Sequence, residues 1–273
     1  MLNEIFGVEA ITSKTNSTIV KISKLSNKKY RNEEKLFVCD GKKLLREAVN
    51  FGAKIKYILV KNDINLEDEL IEKIKKCQNN GSRILCVNDQ VFSKLTEESA
   101  PQGVMTVCEF LSIQKHLTVV KNVTFDEKIM MLESVRDPGN IGTIIRNAAA
   151  FGIDRLIFSS DCADIYSSKV IRAAMGAIFK VKIDIVDDFL GTIKEIKRAN
   201  KRVLSATLGE NSLILGRTKI TSNDVVIVGN EGHGLSKEVI GESDETILIP
   251  MCENTESLNA AIASSIFMWE LYR

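Results

Sequence analysis

From residue 128 onward, short apolar runs alternate with segments of helical periodicity, and this alternation constrains the fold more than any other feature of the chain. Strands are predicted at 128–132, 155–159, 181–186, 202–206, 225–228 and 246–249. Helices are predicted at 141–151, 168–174, 189–199 and 258–272. Strands separated by a helix cannot close as hairpins, so they pair in parallel across helical crossovers. Those helices cover both faces of the sheet. Ligands of such sheets bind beyond the carboxyl ends of the strands.

The first hundred residues carry a smaller version of the same pattern. Strands are predicted at 36–39, 55–60, 83–87 and 103–109, and helices at 66–78 and 90–95. Another helix opens at Asp40-Gly41, carries Leu44, Leu45, Ala48 and Val49 at helical spacing, and stops at Gly52. Residues 112–126 have no sustained periodicity. A chain of 273 residues suits two domains, so the expected division is 1–111, a linker at 112–126, and 127–273. The fold class is α/β.

Composition closes off several classes. Apolar residues make up 44% and charged residues 27%, as in ordinary globular proteins. The start, MLNEIFGVEA, carries Glu4 and Glu9 and no basic leader, so it does not read as a secretory signal. The apolar stretch near 258–269 is broken by Ser264 and Ser265, short of the roughly 18 residues of a membrane span. The 6 cysteines form no C-x-x-C pair and there are only 2 histidines, so no zinc site and no metal is expected. Scattered cysteines suit a reducing compartment, and the expected location is the cytoplasm.

The net charge of +1 hides a basic stretch. Between Lys21 and Arg46 nine basic residues stand against three acidic ones, centred on KISKLSNKKYR. Two readings are open: a phosphate-binding surface with Tyr30 stacking on a base, or a solvated amphipathic helix.

Three segments after predicted strands depart from what packing alone selects. In DPGNIGTIIRN, Asp137-Pro138-Gly139 is turn chemistry and Asn140 a candidate N-cap, while Arg146 sits inside an apolar helix. VVIVGNEGHGLS places Gly229, Glu231, Gly232 and Gly234 after a strand, but Lys237 stands where G-x-G-x-x-G needs its last glycine. His233 in that loop is a weaker catalytic candidate. In TILIPMCENTESLNAAIAS, Ser257 is a candidate cap for the last helix.

Together these segments resemble the motifs of the SpoU/TrmH family of RNA ribose 2′-O-methyltransferases. ITSKTNSTIVKISKLSNKKYR, LFVCDGKKLLREA and APQGVMTV resemble that family's RNA substrate-binding domain, so the resemblance spans nearly the whole chain. It implies a catalytic domain with a trefoil knot, preceded by a smaller α/β RNA-binding domain. S-adenosylmethionine would be the methyl donor, held by backbone around Gly229, Ile249, Met251 and Leu258. Asn140, Arg146, Glu231, Ser257 and Asn259 would form the catalytic cluster. Lys28, Lys29 and Arg31 are expected to contact RNA phosphate. The partners implied are ribosomal RNA and a second copy of the chain, in a homodimer; no membrane association is expected. Arg146 is open to two roles: a base helped by the RNA phosphate, or a charged clamp on phosphate and developing alkoxide. The rival readings are a transfer-RNA methyltransferase, a non-enzymatic RNA-binding protein and a nucleotide-dependent dehydrogenase, the last disfavoured by the glycine pattern.

Overall fold

The computed structural model describes residues 1–209, 211–230, 232–252 and 257–273. In chain order its elements are α1 (Leu2–Phe6), β1 (Ala10–Ile11), α2 (Ser17–Ser23), α3 (Lys28–Glu34), β2 (Leu36–Asp40), α4 (Lys42–Asn50), β3 (Ile55–Lys61), α5 (Asp68–Asn79), β4 (Arg83–Val87), α6 (Asp89–Leu95), β5 (Val104–Glu109), β6 (Gln114–Leu117) and β7 (Ile129–Leu132). They continue with α7 (Pro138–Ala150), β8 (Arg155–Ser159), α8 (Ser168–Ala174), β9 (Lys182–Val186), α9 (Phe189–Arg198), β10 (Arg202–Ala206), β11 (Leu213–Ile214), β12 (Asp224–Val228), α10 (Lys237–Glu242), β13 (Glu245–Leu248) and α11 (Ala260–Tyr272). They form two compact units. One comprises Met1–Leu111 with Asp164–Phe179, the other Ser112–Ala163 with Lys180–Arg273.

The first unit is built on a five-stranded sheet in the order β1-β4-β3-β5-β2, with β5 antiparallel to both neighbours. Strand β3 shows why both faces are covered. Ile58 and Val60 point into one core with Leu45, Leu70 and Ile74 of α4 and α5. Tyr57 and Leu59 point into the other with Ile19, Ile22 and Phe92 of α2 and α6. The period of two places alternate apolar side chains on opposite faces, so each face needs its own layer of helices.

The second unit holds eight parallel strands in the order β11-β13-β10-β12-β7-β8-β9-β6. On one face Ile129, Met131, Ile157 and Ile227 pack with Phe189, Ile193 and Ile196 of α9 and Val239 of α10. Helix α11 packs on α7 and β12. The chain leaves β7 towards β8 and β9, then returns to the other side of β7 for β12 and β10. This reversal puts a crevice beyond the carboxyl ends of β7, β12, β10 and β13. Registers Val228↔Leu132, Ser205↔Ile227 and Ala206↔Ile247 bring those four ends level.

Two expectations change. Residues 112–126 are not an irregular linker throughout: Gln114–Leu117 pairs in parallel with β9, and Val120 is fully buried in the core of the second unit. The segment QKHL has no apolar face of its own, and its pairing with β9 supplies what its pattern lacks. Asp164–Phe179, assigned by sequence position to the catalytic half, packs in the first unit. Tyr166 stacks on Phe110 with centroids 4.1 Å apart and its hydroxyl accepts from Leu111 N at 2.8 Å.

Candidate active site

The strand-end crevice contains a cleft of ≈ 290 Å³, near the lower end of small-molecule sites at about 300 Å³. Its walls include Gly229 after β12, Ile249 and Met251 after β13, and Ser257 and Leu258 before α11. Thr207 and Leu208 after β10 and Phe267 of α11 complete it. All four residues expected to hold the donor therefore line one cavity. No charged side chain lines it among the described residues. Such a wall of main chain and apolar side chains suits an uncharged heterocycle. A dinucleotide's pyrophosphate calls for cations or open helix N-termini, and those helix ends are capped from within. Asn259 Oδ1 accepts from Ala261 N at 3.0 Å and Ile262 N at 3.3 Å, and Ser236 Oγ from Val239 N at 3.3 Å.

Local chemistry explains each wall. The glycines after β12 permit a closed hairpin: Asn230 N donates to Gly234 O at 3.2 Å and Gly234 N to Asn230 O at 2.8 Å. A Cβ on Gly229 would lie 2.5 Å from the Gly234 carbonyl, a contact no side chain tolerates. Gly234 takes φ +67°, in the left-handed region. Gly229 is thus needed for the loop to fold on itself.

The turn entering α7 is held differently from the expectation. Asn140 is not the N-cap: Asp137 Oδ1 accepts from Asn140 N at 2.8 Å and Pro138 opens the helix. Asp-Pro fits because proline has no N–H to satisfy and its φ is already helical. Ser257 does not cap α11 either, since Asn259 does. The side chain of Asn140 is thereby released for another partner, and Asn259 Nδ2 donates to Asn140 Oδ1 at 2.9 Å. Two turns on, Asn147 Nδ2 donates to Ser265 Oγ at 2.6 Å, tying α7 to α11 a second time.

Arg146 is exposed. Its neighbours Ile144, Ile145 and Ala148 are fully buried. Six residues of helix put it about 120° around α7 from Asn140. Among the described residues its guanidinium forms no ion pair. Glu231 lies outside the described residues. His233 is exposed.

Before α7, Ser134 adopts φ +56°, unusual for a residue with a Cβ. Its N–H donates to Ser159 Oγ at 2.8 Å and its Oγ to Asp161 at 2.6 Å. Asp161 also accepts from Ser159 Oγ at 2.6 Å and Arg136 at 3.1 Å. Partial desolvation alone would raise the exposed Asp161 carboxyl, but hydrogen bonds from Ser134, Ser159 and Arg136 hold it below the usual carboxylate range. Sequence reasoning missed Asp137, Asn230 and Asp161. Only Asp137 carried a local signal, the cap residue before a proline.

In the first unit, Arg31 is corrected. It is 5% exposed and donates to Leu25 O and Ser26 O, both at 2.7 Å, and to Asp164 at 2.6 Å. A guanidinium this buried, with both terminal nitrogens held by protein acceptors, is not offered to phosphate. Part of the basic stretch is likewise paired locally. Lys21 pairs with Glu34 at 2.8 Å and Arg46 with Glu67, while Lys29 lies 4.0 Å from Glu33 with both side chains exposed. Lys28 and Lys29 remain exposed.

Residues 127–269 match the SpoU rRNA Methylase family, and residues 16–106 match the MRM3-like substrate binding domain. The chain belongs to the SpoU rRNA methylase family. As a SpoU-family chain it is 28% identical, over 97% of its length and 99% of the relative, to the Bacillus subtilis 23S rRNA (guanosine(2553)-2′-O)-methyltransferase RlmP. A solved rRNA methyltransferase from Sinorhizobium meliloti is 31% identical, with a TM-score of 0.83 and 96% of each chain covered. The AdoMet-bound form from that organism is 30% identical, with a TM-score of 0.82 and the same coverage. Among the described residues of the SpoU-family chain no helix is long and apolar enough to cross a membrane, and none of their His, Cys, Asp and Glu side chains cluster to hold a metal.

Proposed function

We propose that this protein transfers the methyl group of S-adenosylmethionine to a ribose 2′-hydroxyl of ribosomal RNA. The observation that carries the reading is the cleft where Gly229, Ile249, Met251 and Leu258, drawn from separate segments, meet beside the Asn259–Asn140 tie. The residues present fit a nucleoside methyl donor: neutral walls that include Gly229 and Gly234, and no cation set for a pyrophosphate among those described. Bound there, S-adenosylmethionine supplies a sulfonium methyl, an electrophile whose transfer needs alignment with the attacking oxygen.

The 2′-hydroxyl is a weak nucleophile while protonated, so the protein must orient it and stabilise the oxygen as its proton leaves. Orientation contributes several kcal/mol, and the hydroxyl proton passes to the neighbouring RNA phosphate or to solvent. A guanidinium with a pKa above about 12 is a poor base but a strong planar donor. Arg146 is therefore assigned the clamp on the phosphate beside the target ribose and on the developing alkoxide. Asn140, braced by Asn259, positions that region, and Ser257 and Glu231 complete the cluster.

The first unit takes the RNA, with Lys28 and Lys29 on phosphate. The family resemblance also implies a trefoil knot in the second unit, with the donor bent inside it. The meeting of β10, β12 and β13 ends with the start of α11 supports that reading. A homodimer is supported by α11 itself. It is mostly apolar and has no distinct polar face, its polar residues Ser264, Ser265 and Glu270 being scattered, yet Ile262, Trp269 and Tyr272 are exposed and Phe151 lies 5.8 Å from Trp269, edge to face. A helix without a polar face is covered in its assembled state, here by a second copy. The cytoplasm is the proposed location.

The test is transfer of labelled methyl to protein-free ribosomal RNA, with 2′-O-methyl mapping of the product. A single protected ribose that requires Arg146 supports the proposal. Labelling of bases, or none with any RNA, contradicts it.

A further inference from the structure

The last residue of the GNEGHGLS motif has no role in the chemistry above, yet its contacts are specific. Ser236 N donates to Glu133 Oε2 at 2.9 Å and Ser236 Oγ donates to Glu133 Oε1 at 2.6 Å. The two residues stand 103 positions apart. Glu133 directly follows β7, and its N–H donates to Val228 O at 3.0 Å, carrying the alignment with β12 one residue past the strand. The next residue grips the other end of the loop: Asn230 Nδ2 donates to Ser134 O at 2.9 Å. Between these anchors the hairpin is closed by the Asn230–Gly234 pair and by Gly232 N donating to Asn230 Oδ1 at 2.8 Å.

We infer that Glu133 is a positioning residue for the methyl-donor cleft: by holding Ser236 with both carboxylate oxygens, it fixes the far end of the 229–236 loop. That loop contributes Gly229, Asn230 and Gly234 to the cleft wall. The inference rests on the proposed donor site. Its physical basis is redundancy of attachment. A glycine-rich loop has little stiffness of its own, and α10, six residues long, gives weak support from its own helix. Two adjacent residues at the end of β7 clamp the loop at both ends, so its geometry is set by the sheet. The alternative is that Glu133 only steadies the start of α10. Stability would then change and donor handling would not.

The experiment measures donor Kd by calorimetry, donor KM and kcat on ribosomal RNA, and thermal unfolding, for wild type, Glu133→Ala, Glu133→Gln, Ser236→Ala and the double Glu133→Ala/Ser236→Ala. Hydrogen bonds to a charged group imply roughly a tenfold weakening of donor binding in folded Glu133→Ala. The donor KM should rise accordingly, with kcat at saturating donor within about threefold. The double variant should be no weaker than Glu133→Ala, because the two residues share one interaction. Glu133→Gln can accept from Ser236 N and donate to its Oγ, so it should stay within about threefold of wild type. Unchanged donor KM in folded Glu133→Ala, or losses that multiply in the double variant, would overturn the inference. So would a Glu133→Gln as weak as Glu133→Ala. If Glu133→Ala does not fold, Ser236→Ala decides: donor binding at wild-type strength overturns it. Wild-type protein that binds no donor would overturn the proposed function instead.

Discussion

Asn259 Nδ2 donates to Asn140 Oδ1 at 2.9 Å, while Asn259 Oδ1 caps α11 through Ala261 N and Ile262 N. The backbone donors fix which way the Asn259 amide faces, and that in turn turns the Asn140 oxygen towards it. One side chain thus caps the helix that follows the cleft wall and braces the helix that bears Arg146. Serine at 259 keeps a cap oxygen but is too short to reach Asn140. Asn259→Ser should therefore unfold near the wild-type temperature, while methyl transfer falls by about tenfold or more, on the order of one charged-group hydrogen bond. Asn259→Ala loses the cap as well, at about 1 kcal/mol. Thermal melts and single-turnover rates separate the two effects.

Arg146 is exposed on a helix whose opposite side is buried. Arg146→Ala should change stability by less than about 0.5 kcal/mol and leave donor affinity within a few-fold, while abolishing methyl transfer. Arg146→Lys should also fail, because a point charge lacks the planar fork. Loss of donor binding in either variant would make the residue structural.

Arg31 and Lys28–Lys29 should part company. Removing Arg31 strands Asp164, whose side chain is 18% exposed, and two carbonyl acceptors. Arg31→Met should cost about 3 kcal/mol, as for breaking a largely buried pair, seen as a lower urea midpoint. Lys28→Ala and Lys29→Ala should leave stability within about 0.5 kcal/mol. They should weaken RNA binding and flatten its dependence on salt, by nearly one unit of slope for each phosphate that the lysine neutralises.

The contrast between Arg31 and Lys28 marks what was legible in the sequence. Strands such as Arg155–Ser159 and Arg202–Ala206, and helix Ser168–Ala174, fall where their patterns put them, because an apolar run between turn residues has one way to bury itself. That Gly229, Ile249, Met251 and Leu258 line one cavity agrees with what the family resemblance implied, whereas their residue types alone did not single them out. Partnerships across the chain were not legible. Nothing near Arg31 points to Asp164, and nothing near Glu133 points to Ser236. Strand β6 was hidden because its neighbour β9, not its own pattern, holds it. The caps went to Asp137 and Asn259 because several capping residues stood within three positions of each helix start, and only the backbone direction selects among them.

Asp161 gives the site an acid limit. Its carboxyl, exposed but partly desolvated, is held low by Ser134, Ser159 and Arg136. A carboxylate depressed on folding contributes stability above its unfolded value of about 3.9, and that contribution is lost as pH falls through the lower folded value. The stability gap between wild type and Asp161→Asn should therefore be constant above about pH 5 and close below about pH 4. Urea midpoints across that range check it; a gap independent of pH would remove Asp161 from the account.

The most direct test is calorimetric titration of S-adenosylmethionine into wild-type protein and Gly229→Ala, each with and without ribosomal RNA. A Cβ at 229 meets the Gly234 backbone at 2.5 Å, so the loop must move and the cleft wall with it. The expected result is one donor site per chain in the wild type and binding weakened by at least about tenfold in a folded Gly229→Ala, the scale of roughly 1.4 kcal/mol. Wild-type protein that takes up no donor in either condition, or a variant that binds as tightly as wild type, would contradict the account.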